Sequence, residues 1–145
     1  RDVLDLGTGS GVLAIAAVKL GARRATGIDR DPDALASARE SVAANHVAAR
    51  VALRDADVAQ LEPDAVAVIV ANLTGAVLIS LAPVITTLVE PGGYMVLGGI
   101  LAEEETAIAR VFQASAHRVW RSIEDEWVGM VWKSRVSIPR QSRGL

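Results

Sequence analysis

Three glycines and one acidic residue occupy positions from which a chain can hold a nucleoside. Gly7, Gly9 and Gly11 follow a strand-like segment at residues 3–6 and precede a helical pattern of apolar residues. Glycine permits sharp turns and close approach of a ligand, and the free N–H groups at the start of a helix point toward that ligand. Asp29 lies about 20 residues further on, where a carboxylate can accept hydrogen bonds from a ribose diol. The spacing predicts a nucleoside site; the alternative is a tight turn, with Asp29 starting a helix-capping loop.

The position of the third glycine distinguishes two cofactor classes. Dinucleotide-binding loops prefer Gly-x-Gly-x-x-Gly, but Val12 occupies that last position and the third glycine falls at Gly11. Asp5 precedes the loop and suits a cationic ligand, either directly or by holding the loop in place. A sulfonium nucleoside has no diphosphate for the loop to bind. The pattern therefore favours S-adenosylmethionine over a nicotinamide dinucleotide.

Asn72 follows the predicted strand at residues 66–71 and is the candidate for positioning a substrate. Ligands of open α/β sheets bind at the carboxyl ends of the strands. An amide oxygen can accept a hydrogen bond from an amine nucleophile, and the NH₂ group can donate to a cofactor. The alternative is a helix cap or turn residue. We identify no Ser-His-Asp set and no paired acid and base, so we name no general base.

Further acidic and aromatic residues have two interpretations each. Asp55 and Asp57 follow the predicted strand at residues 50–53; one of them contacts an adenine amino group, or both are solvated. The glutamates at positions 103–105 suggest a metal site, but a solvated helix start is favoured because acidic residues suit that end of the helix dipole. Trp127 either lines a substrate entrance or lies at the surface. We predict no metal site.

Composition limits the class of protein. The chain has 145 residues, of which 51% are hydrophobic, and this is enough for one domain with a buried core. The absence of cysteine excludes disulfides, thiolate metal sites and cysteine nucleophiles. The net charge is −2 and the pI is about 5.7, which argues against an electrostatic nucleic-acid binder. The two histidines, His46 and His117, are far apart in the sequence.

One uncharged segment requires a test for a membrane span. Residues 65–89 contain no charged side chain, a length sufficient to cross a bilayer. The segment includes Asn72 and Pro83, lacks flanking Lys or Arg, and begins with β-branched residues typical of a buried strand. We therefore expect no membrane span. The chain begins at Arg1 without a secretory signal, and we interpret it as a fragment or a processed chain located in the cytoplasm.

Apolar patterns alternate between strands and helices along the chain. The predicted strands are residues 3–6, 25–28, 50–53, 66–71 and 94–97, followed by a hairpin of residues 118–123 and 127–133. The predicted helices are residues 12–20, 32–45, a helix from 75 that restarts at 83, and 103–115. Asp31 is the predicted cap of the second helix, which leaves Asp29 free. Residues 91–93 predict a turn. This alternation implies a parallel sheet, to which the hairpin adds one antiparallel edge strand. We divide the chain into a domain at residues 1–134 and a loose tail at 135–145.

The segment VLDLGTGSG at residues 3–11 resembles the first motif of class I S-adenosylmethionine-dependent methyltransferases. More narrowly, the chain resembles the catalytic domain of PrmA-type ribosomal protein methyltransferases, which modify amino groups of large-subunit ribosomal protein eleven. The matching segments are GVLAIAAVKLGA at 11–22, GIDRDP at 27–32, VANL at 70–73, PGG at 91–93 and GIL at 99–101. Two departures stand out: Gly98 replaces an expected serine, and the family's substrate-recognition domain and upstream glycine- and threonine-containing motif are missing here.

The resemblance implies a Rossmann-like, doubly wound, seven-stranded α/β sheet and S-adenosyl-L-methionine as cofactor. It implies N-methylation of lysine or N-terminal amino groups of a ribosomal protein, with no direct nucleic-acid partner. The alternatives are methylation of a small molecule or another protein, or a non-catalytic cofactor-binding module. The candidate cofactor contacts are Asp5, Gly7, Thr8, Gly9, Gly11, Asp29, Arg30, Asp55 and Asn72, and Asn72 is also the candidate catalytic positioning residue.

Overall fold

A computed structural model describes residues 1–62 and 64–135. The strands are β1 (Asp2–Leu6), β2 (Arg24–Asp29), β3 (Val51–Asp55), β4 (Val66–Asn72), β5 (Val89–Leu101), β6 (Ala116–Glu124) and β7 (Trp127–Ser134). The α-helices are α1 (Val12–Lys19), α2 (Pro32–Ala44), α3 (Gly75–Leu88) and α4 (Glu105–Phe112), and short 3₁₀ turns cover Val58–Gln60 and Ala102–Glu104. The predicted tail, apart from Arg135, lies outside the described residues.

The strands form one seven-stranded sheet in the order β3-β2-β1-β4-β5-β7-β6. The first five strands are parallel, and β7 is antiparallel to both β5 and β6. The predicted doubly wound α/β fold is confirmed, with one difference in the hairpin. The antiparallel strand β7 lies second from the edge, and β6 forms the edge itself. The burial pattern explains this order, because β7 buries Val128, Met130 and Trp132, whereas β6 buries only Ala116.

Helices cover the two faces of the sheet with separate hydrophobic clusters. On one face, α1 and α2 pack on β1, β2 and β3 through a cluster that includes Val3, Ile15 and Val42. On the other face, α3 and α4 pack on the centre of the sheet through a cluster that includes Leu6 and Phe112. Burial of these side chains is the main force that holds the layers together. Both faces of β1 and β2 are covered in this way, and the carboxyl ends of these strands remain accessible.

The helix α3 is continuous, so the predicted restart at Pro83 is wrong. Proline inside a helix removes one backbone hydrogen bond. The apolar stripe nevertheless continues past the proline, with Ala82 and Ile85 buried on either side of it and Pro83 itself exposed. Burial of this stripe in the core outweighs the lost hydrogen bond. None of the described helices has the length and hydropathy needed to cross a membrane.

The strand β5 is longer than predicted and includes the predicted turn at residues 91–93. Val66 pairs with Val89 and Val68 pairs with Tyr94, so residues 90–93 stand opposite Ala67 as a bulge. The predicted turn is therefore wrong, because the chain continues in the same strand and residues 90–93 form a bulge. The predicted helix at residues 103–115 is shorter, since α4 begins at Glu105 after a 3₁₀ turn.

Candidate functional site

The glycine loop connects β1 to α1 as predicted. Gly7, Gly9 and Gly11 have φ values of +69°, +56° and +81°, in the left-handed region that favours glycine. A Cβ atom at Gly11 would lie 3.3 Å from Ala38 Cβ of α2, whereas the space around Gly9 is open. The loop is therefore packed at its end and accessible at its centre, where a ligand can approach the backbone.

Asp5 supports this loop from behind. It is 1% exposed, and its Oδ2 accepts hydrogen bonds from Thr8 Oγ1 at 2.6 Å and from the Ala14 N–H at 3.2 Å. Burial raises the pKa of Asp5, the two hydrogen bonds lower it, and the charge of Asp29 raises it further. Of the two roles considered for Asp5, the structure favours holding the loop over direct contact with a ligand. Thr8 is also buried and belongs to the same support.

Asp29 ends β2 directly beside the loop. Its Oδ2 accepts a hydrogen bond from the Gly9 N–H at 2.9 Å, and its Oδ1 accepts from the N–H groups of Arg30 at 2.8 Å and Asp31 at 3.0 Å. The prediction that Asp29 is left free is therefore wrong, although Asp31 does cap α2 through the Asp33 N–H. A carboxylate has about four acceptor sites, so the partly exposed Asp29 keeps capacity for a ribose hydroxyl.

A cleft of about 220 Å³ opens beside Asp29 at the carboxyl edge of the sheet. This volume is below the ~300–1,000 Å³ of pockets that enclose drug-sized ligands, and the cleft is open to solvent on one side. The lining residues are Gly7, Ile28, Asp29, Arg30, Ala56, Asp57, Val58, Leu73, Val77 and Leu81. The predicted contacts Gly7, Asp29 and Arg30 thus come together here.

Asp57, and not Asp55, lines this cleft. Asp55 is exposed at the end of β3 and is absent from the cleft wall. Asp57 Oδ1 accepts a hydrogen bond from the Ala59 N–H at 3.0 Å, and its Oδ2 lies 3.2 Å from Arg30 Nη1. This capping contact starts the turn Val58–Gln60, which places Val58 in the cleft wall. The turn decides which of the two acidic residues lines the cleft, and the contact predicted for Asp55 stays a prediction.

The apolar wall of the cleft was missed by sequence analysis. Ile28 precedes Asp29 in β2, Leu73 directly follows β4, and Val77 lies in the first turn of α3. Val77 is 40% exposed although it is hydrophobic. An apolar residue in the first turn of a helix, directly after a strand end, was the available signal. Such residues can pack against the flat face of an aromatic base.

Asn72 lies at the same edge but outside the cleft. It is exposed, pairs with Gly98 of β5, and its Oδ1 packs beside Gly98 and Gly99. Leu73 lies between Asn72 and the glycine loop, and its Cδ2 atom occupies the space of a Cβ atom at Gly7, at 2.6 Å. The structure therefore separates Asn72 from the nucleoside cleft by one side chain. The capping position of α3 is held by Thr74, so Asn72 is not the helix cap.

The remaining candidates do not converge on a second centre. Glu104 Oε1 accepts a hydrogen bond from the Leu101 N–H, and Glu105 pairs with Arg121. Within residues 1–62 and 64–135, no three His, Asp or Glu side chains are grouped so as to hold a metal ion. Trp127 is 50% exposed and pairs with Leu101 at the end of β5, on the edge that carries Asn72.

Comparison with known proteins identifies the family of the chain. A family model described as ribosomal protein L11 methyltransferase (PrmA) matches residues 1–135. The chain belongs to this family. A curated ribosomal protein L11 methyltransferase from Geobacter metallireducens is 42% identical over 135 residues, which cover 92% of this chain and 44% of the relative. Another from Pseudomonas aeruginosa (strain LESB58) is 46% identical over 116 residues, which cover 79% of this chain and 38% of the relative. The chain thus spans less than half the length of these relatives.

Solved structures give the same result. A crystal structure of ribosomal protein L11 methylase from Lactobacillus delbrueckii subsp. bulgaricus has a TM-score of 0.86 and 28% identity, covering 92% of this chain and 70% of that one. An RNA methyltransferase from Salinibacter ruber, solved with S-adenosyl-L-homocysteine, has a TM-score of 0.78 and 24% identity, covering 97% of this chain and 84% of that one. This second likeness concerns the fold. The predicted family and the predicted seven-stranded sheet are confirmed.

Proposed function

We propose that this chain is the catalytic domain of an S-adenosylmethionine-dependent N-methyltransferase that acts on amino groups of ribosomal protein L11. The observation that carries the proposal is the hydrogen bond of 2.9 Å between the Asp29 carboxylate and the Gly9 N–H at the entrance of the cleft. It joins the acidic strand end to an open glycine loop beside an apolar wall. The family and the relatives' names support the reaction and the substrate.

The residues present fit a sulfonium nucleoside. Asp29 would accept hydrogen bonds from the ribose, and Leu73 and Val77 would contact the base. The open backbone at Gly9 leaves room for the rest of the ligand. When bound, the cofactor supplies a methyl group attached to positively charged sulfur. Asp5 holds the loop in position through Thr8 and Ala14. The chain thus offers the cofactor a preformed cleft with the Asp29 carboxylate at one end.

The acceptor must be a neutral amine. The reference pKa of lysine is ~10.4, so only about one side chain in a few thousand is neutral at pH 7. A site that removes water from the amine lowers this pKa and raises the neutral fraction. Asn72 is suited to orient the amine, because its amide oxygen can accept an N–H hydrogen bond while the nitrogen lone pair points toward the methyl group. Alignment of reacting atoms alone supplies several kcal/mol.

The partner in this proposal is a protein, and direct binding of nucleic acid is not part of it. The net charge of −2 agrees with that choice, since proteins that bind phosphate backbones are usually basic. A ribosomal protein substrate places the activity in the cytoplasm.

Transfer of labelled methyl groups tests the proposal. The chain is incubated with labelled S-adenosylmethionine and purified ribosomal protein L11, with the full-length Geobacter metallireducens relative as positive control. We expect label in L11 on lysine or N-terminal amino groups. If the chain binds S-adenosylhomocysteine and L11 stays unlabelled while the control succeeds, the chain is a cofactor-binding module or methylates another acceptor.

A further inference from the structure

The strand β5 contains a second bulge at the edge that carries Asn72. Leu97 pairs with Met130 and Ile100 pairs with Val128, so Gly98 and Gly99 together face the single residue between Val128 and Met130. Gly99 has φ +75°, in the left-handed region. Bulges with a left-handed glycine bend a strand and redirect side chains, and they are frequent beside active sites. This bulge lies directly opposite the end of β4.

The end of β4 and the residue after it pack against Gly99. A Cβ atom at position 99 would lie 2.8 Å from Asn72 Oδ1 and 2.8 Å from the Leu73 carbonyl oxygen. Both distances are far below an ordinary carbon–oxygen contact, so the side chain of Asn72 occupies space that only glycine leaves open. On the opposite side, Leu73 packs its side chain on Gly7 of the glycine loop. Asn72 and Leu73 are therefore held between two glycines, one in β5 and one in the loop.

We propose that Gly99 is a positioning residue, which orients the Asn72 amide toward the acceptor amine by leaving room for it against β5. The inference rests on the proposed function, in which Asn72 aligns the amine. Asn72 is exposed, and an exposed side chain ordinarily samples several rotamers. Packing against the bulge limits these rotamers and keeps the amide at the carboxyl edge, beside the nucleoside cleft.

The neighbouring Gly98 provides a matched control. A Cβ atom at Gly98 would lie 3.4 Å from Asn72 Oδ1, an ordinary contact, and the φ of Gly98 is not in the left-handed region. An alanine at position 98 therefore fits without moving Asn72. An alanine at position 99 must displace the amide or the Leu73 carbonyl and is also strained by the left-handed φ, so an Asn72→Ala background is needed to separate the two effects. The two substitutions add the same methyl group at adjacent positions of one strand.

Steady-state kinetics of methyl transfer test the role of Gly99. We expect Gly99→Ala to lower kcat by about 10²-fold, the effect typical of misplacing a reacting group by about 1 Å. It should weaken S-adenosylhomocysteine affinity far less, because Leu73 alone connects the bulge to the cleft wall. Gly98→Ala should retain kcat within about threefold. In an Asn72→Ala background, Gly99→Ala should cause little further loss of kcat, since residues that act through one another are not additive. Equal kcat for Gly99→Ala and Gly98→Ala would overturn the proposal, as would full activity of Asn72→Ala.

Nuclear magnetic resonance of the unsubstituted chain provides a readout that needs neither activity nor a folded variant. We expect an Overhauser contact between the Asn72 side-chain amide protons and the Gly99 α protons, and displaced Asn72 amide resonances in Gly99→Ala but not in Gly98→Ala. A missing contact in the unsubstituted chain refutes the positioning role even if Gly99→Ala does not fold. If the unsubstituted chain transfers no methyl group, the proposed function fails, and the Overhauser contact alone decides whether Gly99 orients Asn72.

Discussion

The buried Asp5 carboxylate is retained in the core because it holds the glycine loop in place. Removing a carboxylate from water is costly unless hydrogen bonds replace the lost solvation. Asp5 receives such bonds from Thr8 Oγ1 and the Ala14 N–H, which tie the glycine loop and the first turn of α1 to β1. Burial is still the larger effect, and the pKa of Asp5 lies above its usual value.

The raised pKa predicts how stability depends on pH. Between the pKa values of the unfolded and folded chain, the folded state binds more protons, so the contribution of Asp5 to the free energy of unfolding falls as pH rises. Asp5→Asn keeps an acceptor oxygen and removes this titration. We expect the unsubstituted chain to gain stability relative to Asp5→Asn as pH is lowered from 7 to 4, measured by urea unfolding. Asp55→Asn, at an exposed site, is the control. A difference that stays constant or shrinks toward pH 4 would show that Asp5 is not destabilised by burial.

Residue types alone predicted the loop and its acid but not every neighbour. Gly7, Gly9 and Gly11 carry a local requirement for left-handed backbone, so their role was visible in the sequence. The sequence could not show whether Asp55 or Asp57 lines the cleft. The hydrogen bond that Asp57 accepts from the Ala59 N–H determines which side chain enters the cleft wall. The hydrogen bond from Gly9 to Asp29 is also non-local, since it joins two separate strand ends.

At the scale of elements, local sequence signals predicted where helices begin better than how far helices and strands continue. The Asp31 cap with Pro32 at the first helical position placed the start of α2 correctly. Pro83 and the turn at residues 91–93 are equally strong local signals, yet α3 and β5 both continue through them. In each case pairing or burial of distant residues decides the outcome, through the core stripe of α3 and the β4 ladder beside β5.

The continuous α3 leads to a prediction about Pro83. The ring is exposed and its nitrogen cannot donate to the preceding turn, so Pro83→Ala adds a hydrogen bond without removing buried surface. The substitution also loosens the unfolded chain, which offsets part of the gain. We expect the free energy of unfolding to rise by about 2 kcal/mol in urea titrations. Ser80→Ala, exposed in the same helix, should stay within about 0.5 kcal/mol. A destabilised Pro83→Ala would mean that α3 needs the proline.

At the scale of the whole molecule, the alternation of strands and helices predicted the sheet. The order of β7 and β6 at its edge was visible only in the structure. The five parallel strands follow from the connections between them. The hairpin can add to the sheet by either strand, and the apolar alternation of Val128, Met130 and Trp132 selects β7 as the partner of β5. At the carboxyl ends of the strands lies the cleft between β2 and α3. Beyond Leu73, the same edge carries Asn72 and the bulge of β5 against which it packs. This layout separates the proposed cofactor contacts from Asn72, the residue proposed to align the acceptor.

Calorimetric titration with S-adenosylhomocysteine and with NADH tests the central claim, that Asp29 and the glycine loop bind a sulfonium-type nucleoside. We expect S-adenosylhomocysteine to bind and NADH not to bind. Asp29→Ala should weaken binding by about ten- to a hundred-fold, the loss of hydrogen bonds to a charged group. Glu124→Ala, an exposed carboxylate of β6 outside the cleft wall, should leave the affinity unchanged. Tight binding of NADH without S-adenosylhomocysteine, or equal affinities for Asp29→Ala and the unsubstituted chain, would contradict this claim.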